Sequence, residues 1–211
     1  MAPPTHQRRS SRPAVSLVVP FRGDSTAAVR LLTALSRLRV AAGDELILAD
    51  NTEERVAGGL GSDRVRVVTA AEERSSYHAR NAGAGAAANG WLLFLDADCA
   101  PEPGLLDAYF AAPIPPACGA LSGTIAGDAS QEALLARYAR SRHFLSSTDG
   151  LLGPAGTPTG NLLVRGAAFD AIGGLRAGHP LGRRHRAGSA TCGGRLDGRA
   201  PAGGDRDAPP S

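Results

Sequence analysis

The sequence predicts an α/β domain, a mostly parallel twisted sheet with helices on both faces. Two observations carry this. The strand-like runs Val15-Ser-Leu-Val-Val-Pro20, Glu45-Leu-Ile-Leu-Ala49, Val65-Arg-Val-Val-Thr69 and Trp91-Leu-Leu-Phe-Leu95 are mostly continuous rather than alternating apolar runs, which marks strands buried on both sides. Helical patterns separate the first run from the second and the third from the fourth, the alternation that builds βα units. A chain of 211 residues, 43% hydrophobic and 20% charged, has the material for one globular domain.

Taken in order, a flexible polar leader over residues 1–14 is expected before the first strand. From Asp24 to Val40, the residues Val29, Leu32, Leu35 and Leu38 recur at helical intervals. After the second and third strands, Ser75-Ser76 caps an Ala-rich helix expected over 76–89. Pro101-Glu-Pro103 starts a helix over Leu105 to Phe110, and a strand over 119–125 follows the turn at Pro113 to Pro116. A helix over Gln131 to Leu145, with Leu134, Leu135 and Tyr138 inward, leads to a loop over 150–158. Asn161-Leu-Leu-Val-Arg165 reads as a strand, and a short helix over 167–172 is closed by Gly173-Gly174. From Arg176 to Ser211 the only large apolar residues are Leu181 and Leu196, so 176–211 is expected to be a disordered tail.

Composition narrows function. No run approaches a membrane span, and the start lacks the apolar segment of a secretory signal, so a cytoplasmic protein is expected. All 23 basic residues are Arg; the net charge of +3 owes much to Arg8, Arg9, Arg12 and the C-terminal Arg residues, which argues against a nucleic-acid surface. Cys99, Cys118 and Cys192 have neither zinc spacing nor an even count for disulfides.

In an open parallel sheet, ligands bind beyond the carboxyl ends of the strands. Pro20-Phe21-Arg22-Gly23-Asp24 follows the first strand, Asp50-Asn51-Thr52 the second and Asp96-Ala97-Asp98 the fourth. Two carboxylates one residue apart suit Mg²⁺ or Mn²⁺ while leaving positions for a diphosphate; the bland alternative is that Asp98 caps the helix after Pro101. Arg80, on the helix entering the Trp91 strand, has the forked guanidinium that reaches phosphate, with a plain surface charge as the alternative. Gly83-x-Gly85 lies inside a helix before a strand, the reverse of a dinucleotide-binding loop. His78 reads as structural or solvated, and Thr159-Gly160-Asn161 as either a turn that positions a strand or part of a site.

Val15 to Phe21, Glu45 to Thr52, Ala79-Arg-Asn-Ala-Gly83, Trp91 to Asp98, Gly160 to Arg165 and Phe169-Asp-Ala-Ile-Gly-Gly174 together resemble the family-2 glycosyltransferases with the GT-A fold, over about residues 15–175. The resemblance implies transfer of a glycosyl group from a nucleotide-diphospho-sugar, a UDP- or GDP-sugar, to an acceptor hydroxyl with inversion. It places Pro20, Phe21 and Arg22 beside the nucleotide, Asp50 on the base, and Arg80 and Asn81 near the nucleotide or diphosphate. Asp96 and Asp98 become the D-x-D pair on a divalent cation, with Asp98 at the meeting of metal and diphosphate, and Gly160 and Asn161 lie on the acceptor side. The implied acceptor is a carbohydrate or lipid-linked molecule, with peripheral association at the inner face of the membrane.

The chain departs from the family after the Gly-Gly turn. The acidic motif that usually supplies the general base is missing: after Asp170 the next acidic residue is Asp197. A truncation or a frame shift after about residue 175 would account for this; one codon choice for His179 to Ala187 with a base dropped reads Ile-Arg-Ser-Gly-Gly-Asp-Ile-Glu, which is compatible with a frame shift. The alternatives are a binding remnant without turnover, and a metal-dependent nucleotidyltransferase, for which Pro20-Phe21-Arg22-Gly23 is a poor phosphate cradle.

Overall fold

The computed structural model describes residues 12–125, 159–176 and the backbone of 190–193. Along the chain these form β1 (Val15–Phe21), α1 (Ser25–Ser36), β2 (Glu45–Asp50), β3 (Val65–Thr69), α2 (Ser76–Gly85), β4 (Trp91–Leu95), α3 (Leu105–Ala108), β5 (Cys118–Ser122), β6 (Asn161–Arg165), α4 (Gly166–Ala171) and β7 (Ala190–Gly193). The helix expected over 131–145, the loop over 150–158, residues 1–11 and most of the tail lie outside the described residues.

The described strands form one sheet in the order β3-β2-β1-β4-β6-β5-β7. The strands β3, β2, β1 and β4 are parallel, as the apolar runs predict. β6 runs antiparallel to both β4 and β5. Its direction matters for the site: Asn161 pairs with Leu95, so the start of β6 meets the carboxyl end of β4. Thr159 to Asn161 thus share a sheet edge with the residues that follow β1, β2 and β4.

The pleat divides the core between the two faces. Val15, Leu17, Val19 and Phe21 of β1 pack with Leu31 and Leu35 of α1 and Leu106 of α3, while Val18 packs with Leu92, Phe94 and Phe169 on the face covered by α2 and α4. Helices on both faces are therefore observed. Within α1 the phase differs from expectation: Ala28, Leu31 and Leu35 are buried, but Val29 is 51% exposed and Leu32 only half-buried. Each residue turns the helix by about 100°, so the inward stripe that includes Ala28 excludes its neighbour.

Local chemistry fixes the ends of these elements. The Asp24 carboxylate caps α1 by accepting from Ala27 N–H at 2.7 Å, and Arg64 donates to the carbonyls of Ser36 and Leu38 at 2.9 and 3.1 Å at the other end. Ser75 caps α2, accepting from Tyr77 and His78 N–H. After α4, Gly173 and Gly174 take φ of +72° and +80° and donate to Asp170 and Phe169 carbonyls, the Schellman closure expected of a Gly-Gly pair. The α3 helix is shorter than expected, one turn at 105–108, and Phe110 beyond it meets Trp91 edge-on at 5.6 Å.

Two expectations are corrected. The leader is anchored at its end: Arg12 pairs with the buried Asp44 carboxylate at 2.6 Å, and Asp44 also accepts from Val15 and Ala41 N–H. Burial would raise the Asp44 pKa, but Arg12 and these two N–H groups hold it below the usual carboxylate value. Within the tail, Ala190–Gly193 pairs parallel with β5, because an edge strand of small residues needs backbone partners rather than a core.

Candidate functional site

At the carboxyl edge of the sheet, Asp96 follows the buried end of β4 and its N–H donates to the Gly160 carbonyl at 3.0 Å. Gly160 is there for space, since a Cβ on it would stand 2.6 Å from Asp96 Oδ2. Asp96 Oδ1 accepts from Nη2 of Arg80, which reaches across from α2. Arg80 is only 5% exposed, and its Nε is a buried side-chain donor without a partner among the described residues. Such an orphan is costly and points to a missing acceptor.

Asp98 stands exposed two residues on. It does not cap the following helix, whose N-cap is Gly104 with no side-chain bond, so the capping alternative falls. Cys99 lies half-buried behind the pair. Burial, then the charges of Asp98 and Asp96, push its thiol up to about 11, so it is neutral and inert at physiological pH.

The helix α2 reaches this edge because Gly83 lets it lie against β1: a Cβ there would fall 2.4 Å from Val18 Cγ1. Arg80 and Asn81 then face different partners. Asn81 turns to the α4 side, where its amide donates to Leu175 C=O and accepts from Leu175 N–H, both at 2.9 Å. It fixes the chain beyond the Gly-Gly turn, and both polar ends of its amide are occupied away from Arg80. His78 pairs with Glu72 at 3.0 Å, which lowers the Glu72 pKa.

At the end of β2, Asp50 is 1% exposed. Its Oδ1 accepts from the Thr52 N–H at 3.0 Å and hydroxyl at 2.6 Å, and its Oδ2 from Ala57 N–H at 2.7 Å. These bonds make Asp50 the staple of the 51–57 loop. Asn51, which the sequence left without a role, donates to the carbonyls of Ala70 and Glu73 and ties the loop to the end of β3. Beside it, Pro20 is half-buried, Phe21 is buried under Gly23, and Arg22 is exposed.

Asn161 is also turned inward. Its Oδ1 accepts from the Tyr109 hydroxyl at 2.7 Å and its Nδ2 donates to Thr124 C=O at 3.1 Å. Tyr109, which burial holds far above its usual pKa, carried no sequence signal. Thus Arg80, Asp96, Asp98 and Gly160 come together at one edge, while Asp50, Asn81 and Asn161 shape the backbone around it. A separate groove of about 400 Å³ between α2 and α4 is lined by Asn81, Gly85, Phe169 and Asp170 and includes neither Asp96 nor Asp98.

Residues 16–112, from β1 to just past α3, match the family model described as glycosyl transferase family 2. The match covers just under half of the chain. The chain also resembles solved structures in its fold. The mannosyltransferase PcManGT from Pyrobaculum calidifontis, in complex with GDP-Man and Mn²⁺, is 17% identical, with 80% of this chain and 49% of that one covered and a TM-score of 0.56. TarS 1–349 from S. aureus is 16% identical, with 76% and 49% covered and a TM-score of 0.51. Glucosyl-3-phosphoglycerate synthase from Mycobacterium tuberculosis, with Mn²⁺, UDP and phosphoglyceric acid, is 17% identical, with 87% and 69% covered and a TM-score of 0.52. These likenesses are of fold, GT-A as expected. The chain spans about half the length of the first two. Comparison with curated proteins gives no match.

Among the described residues no group of three or more His, Cys, Asp or Glu is placed to hold a metal. The oxygen donors at the edge, Asp98 and Asp96, fit a hard divalent cation that takes its remaining ligands from a diphosphate and water.

Proposed function

We propose that this domain binds a UDP- or GDP-sugar at the carboxyl edge of β1, β2 and β4 and transfers the sugar to an acceptor hydroxyl with inversion. The observation that carries this reading is the buried Arg80, whose Nε has no partner among the described residues and whose Nη2 is paired with Asp96, two residues before the exposed Asp98. Arg80 offers its fork to the diphosphate. Pro20, Phe21 and Arg22 flank the nucleotide, and the loop stapled by Asp50 shapes the base side. Asp98, with Asp96, holds Mg²⁺ or Mn²⁺, which would stabilise negative charge on the departing nucleoside diphosphate. Gly160 and Asn161 form the acceptor-side wall, Asn161 through its hold on Tyr109 and Thr124. Asn81 serves through Leu175 rather than on the diphosphate.

The donor-binding unit in this reading is residues 15–175, acting in the cytoplasm at the inner face of the membrane on a carbohydrate or lipid-linked acceptor. Among the described residues no helix is long and apolar enough to cross a membrane. An inverting transfer needs a base for the acceptor proton, and none is assigned among the described residues. The absence of acidic residues between Asp170 and Asp197 favours a second reading, a donor-binding remnant without turnover.

Product analysis separates these. Incubation with UDP- and GDP-sugars, Mn²⁺ and a panel of acceptors should release UDP or GDP. Donor binding without release supports the remnant. Pyrophosphate release would instead establish a nucleotidyltransferase.

A further inference from the structure

Asp96 and Asp98 are separated by one residue in sequence but are not equivalent in the fold. Asp98 is exposed and has no hydrogen bond or ion pair to a described residue. The Asp96 carboxylate is bonded at Oδ1 to the guanidinium of Arg80, and Oδ2 sits over Gly160, where even a methyl group would collide. A cation approaching Asp96 therefore meets a buried, permanently charged Arg already paired with it. Among the described residues Arg80 is itself under-satisfied: Nη1 has only the Ser76 carbonyl at 3.4 Å, and Nε has no acceptor.

The geometry points to Arg80 as the residue that withholds Asp96 from metal until a diphosphate arrives. In the free chain a divalent cation finds Asp98 alone and binds weakly. A diphosphate offers Arg80 more acceptors than one carboxylate oxygen does. Arg80 then exchanges Asp96 for the anion, and Asp96 joins Asp98 on the metal. Metal and diphosphate thereby bind cooperatively, and linkage requires that each strengthen the other by the same factor. This rests on the donor-site reading above, but its free-chain half does not need a nucleotide to be tested.

The test is titration of the full chain with Mn²⁺, followed by the EPR signal of free Mn²⁺, with and without UDP or GDP. In the free chain, Asp98→Asn should abolish the weak binding, whereas Asp96→Asn should weaken it far less. Arg80→Gln should strengthen free-chain Mn²⁺ binding at least about tenfold, the scale on which a neighbouring charge shifts ion binding to a carboxylate. That gain should vanish in Arg80→Gln combined with Asp96→Asn. The strengthening of Mn²⁺ binding by UDP or GDP should be smaller in Arg80→Gln than in the wild type.

Equal loss in Asp96→Asn and Asp98→Asn, or no gain in Arg80→Gln, overturns the proposal. The Asp variants alter partly or fully exposed side chains, so they decide the point if Arg80→Gln does not fold. If UDP and GDP leave Mn²⁺ binding unchanged in every variant, the donor-site reading and the exchange both fall, while the free-chain arms still show whether Arg80 masks Asp96.

Discussion

Replacing Asp50 by Asn distinguishes a loop staple from a base contact. The carboxylate satisfies three donors in a site 1% exposed, two on Thr52 and one on the fully buried Ala57. Asn keeps one acceptor oxygen for Thr52 but turns an NH₂ toward Ala57 N–H, so one charge-assisted bond is lost and a buried donor is left unpaired. Losing a hydrogen bond to a charged group costs about 2–3 kcal/mol. For a domain of this size that lowers Tm by roughly 5–10 °C. Scanning calorimetry should show this drop, and titration with UDP and GDP should show both weakened by a similar factor, because the whole loop loosens. An unchanged Tm with selective loss of one nucleotide would refute the reasoning and return Asp50 to the base.

Other substitutions probe the frame around the site. Gly83→Val drives a side chain into Val18, where a Cβ alone would stand at 2.4 Å, and should cost about 1–3 kcal/mol by overpacking, read as a lower urea midpoint. Tyr109→Phe removes the hydroxyl that donates to Asn161 Oδ1 at 2.7 Å and should cost about 1–3 kcal/mol by chemical denaturation; an unchanged midpoint would mean Asn161 is not held this way. The folded pKa of Asp44 is depressed, so its contribution to stability is full above the unfolded value, near 4, and is lost as pH falls through the folded one. Asp44→Asn should therefore flatten the fall in urea midpoint as pH drops below about 4, and an unaltered slope would contradict the Arg12–Asp44 anchor.

Much of the fold was legible because its signals are local. Continuous apolar runs marked β1, β2, β3 and β4 to within a residue, and Gly173-Gly174 marked the end of α4. The inward face of α1 was misread since Val29 and Leu32 satisfy helical spacing as well as Leu31 does, and only packing against the sheet chooses between them. The antiparallel entry of β6 was not legible, because strand direction is set by a long connection rather than by residues 161–165 themselves. At the site, residue type located the right edge but not the roles. Asp50, Asn81 and Asn161 are polar residues at strand ends and on a helix, as ligand-binding residues are, yet their polar atoms serve Thr52, Ala57, Leu175, Tyr109 and Thr124. The pairing of Arg80 with Asp96, separated by 16 residues, emerges only when Gly83 brings α2 onto β1.

The central claim is a metal-dependent donor site at Asp98. Calorimetric titration of the purified chain with UDP- and GDP-sugars, with and without Mn²⁺, tests it most directly when repeated on Asp98→Ala. Binding of one donor class that requires Mn²⁺ and disappears in Asp98→Ala is the predicted result. Binding that is equally strong without metal or in Asp98→Ala, or no binding of any donor, would contradict it.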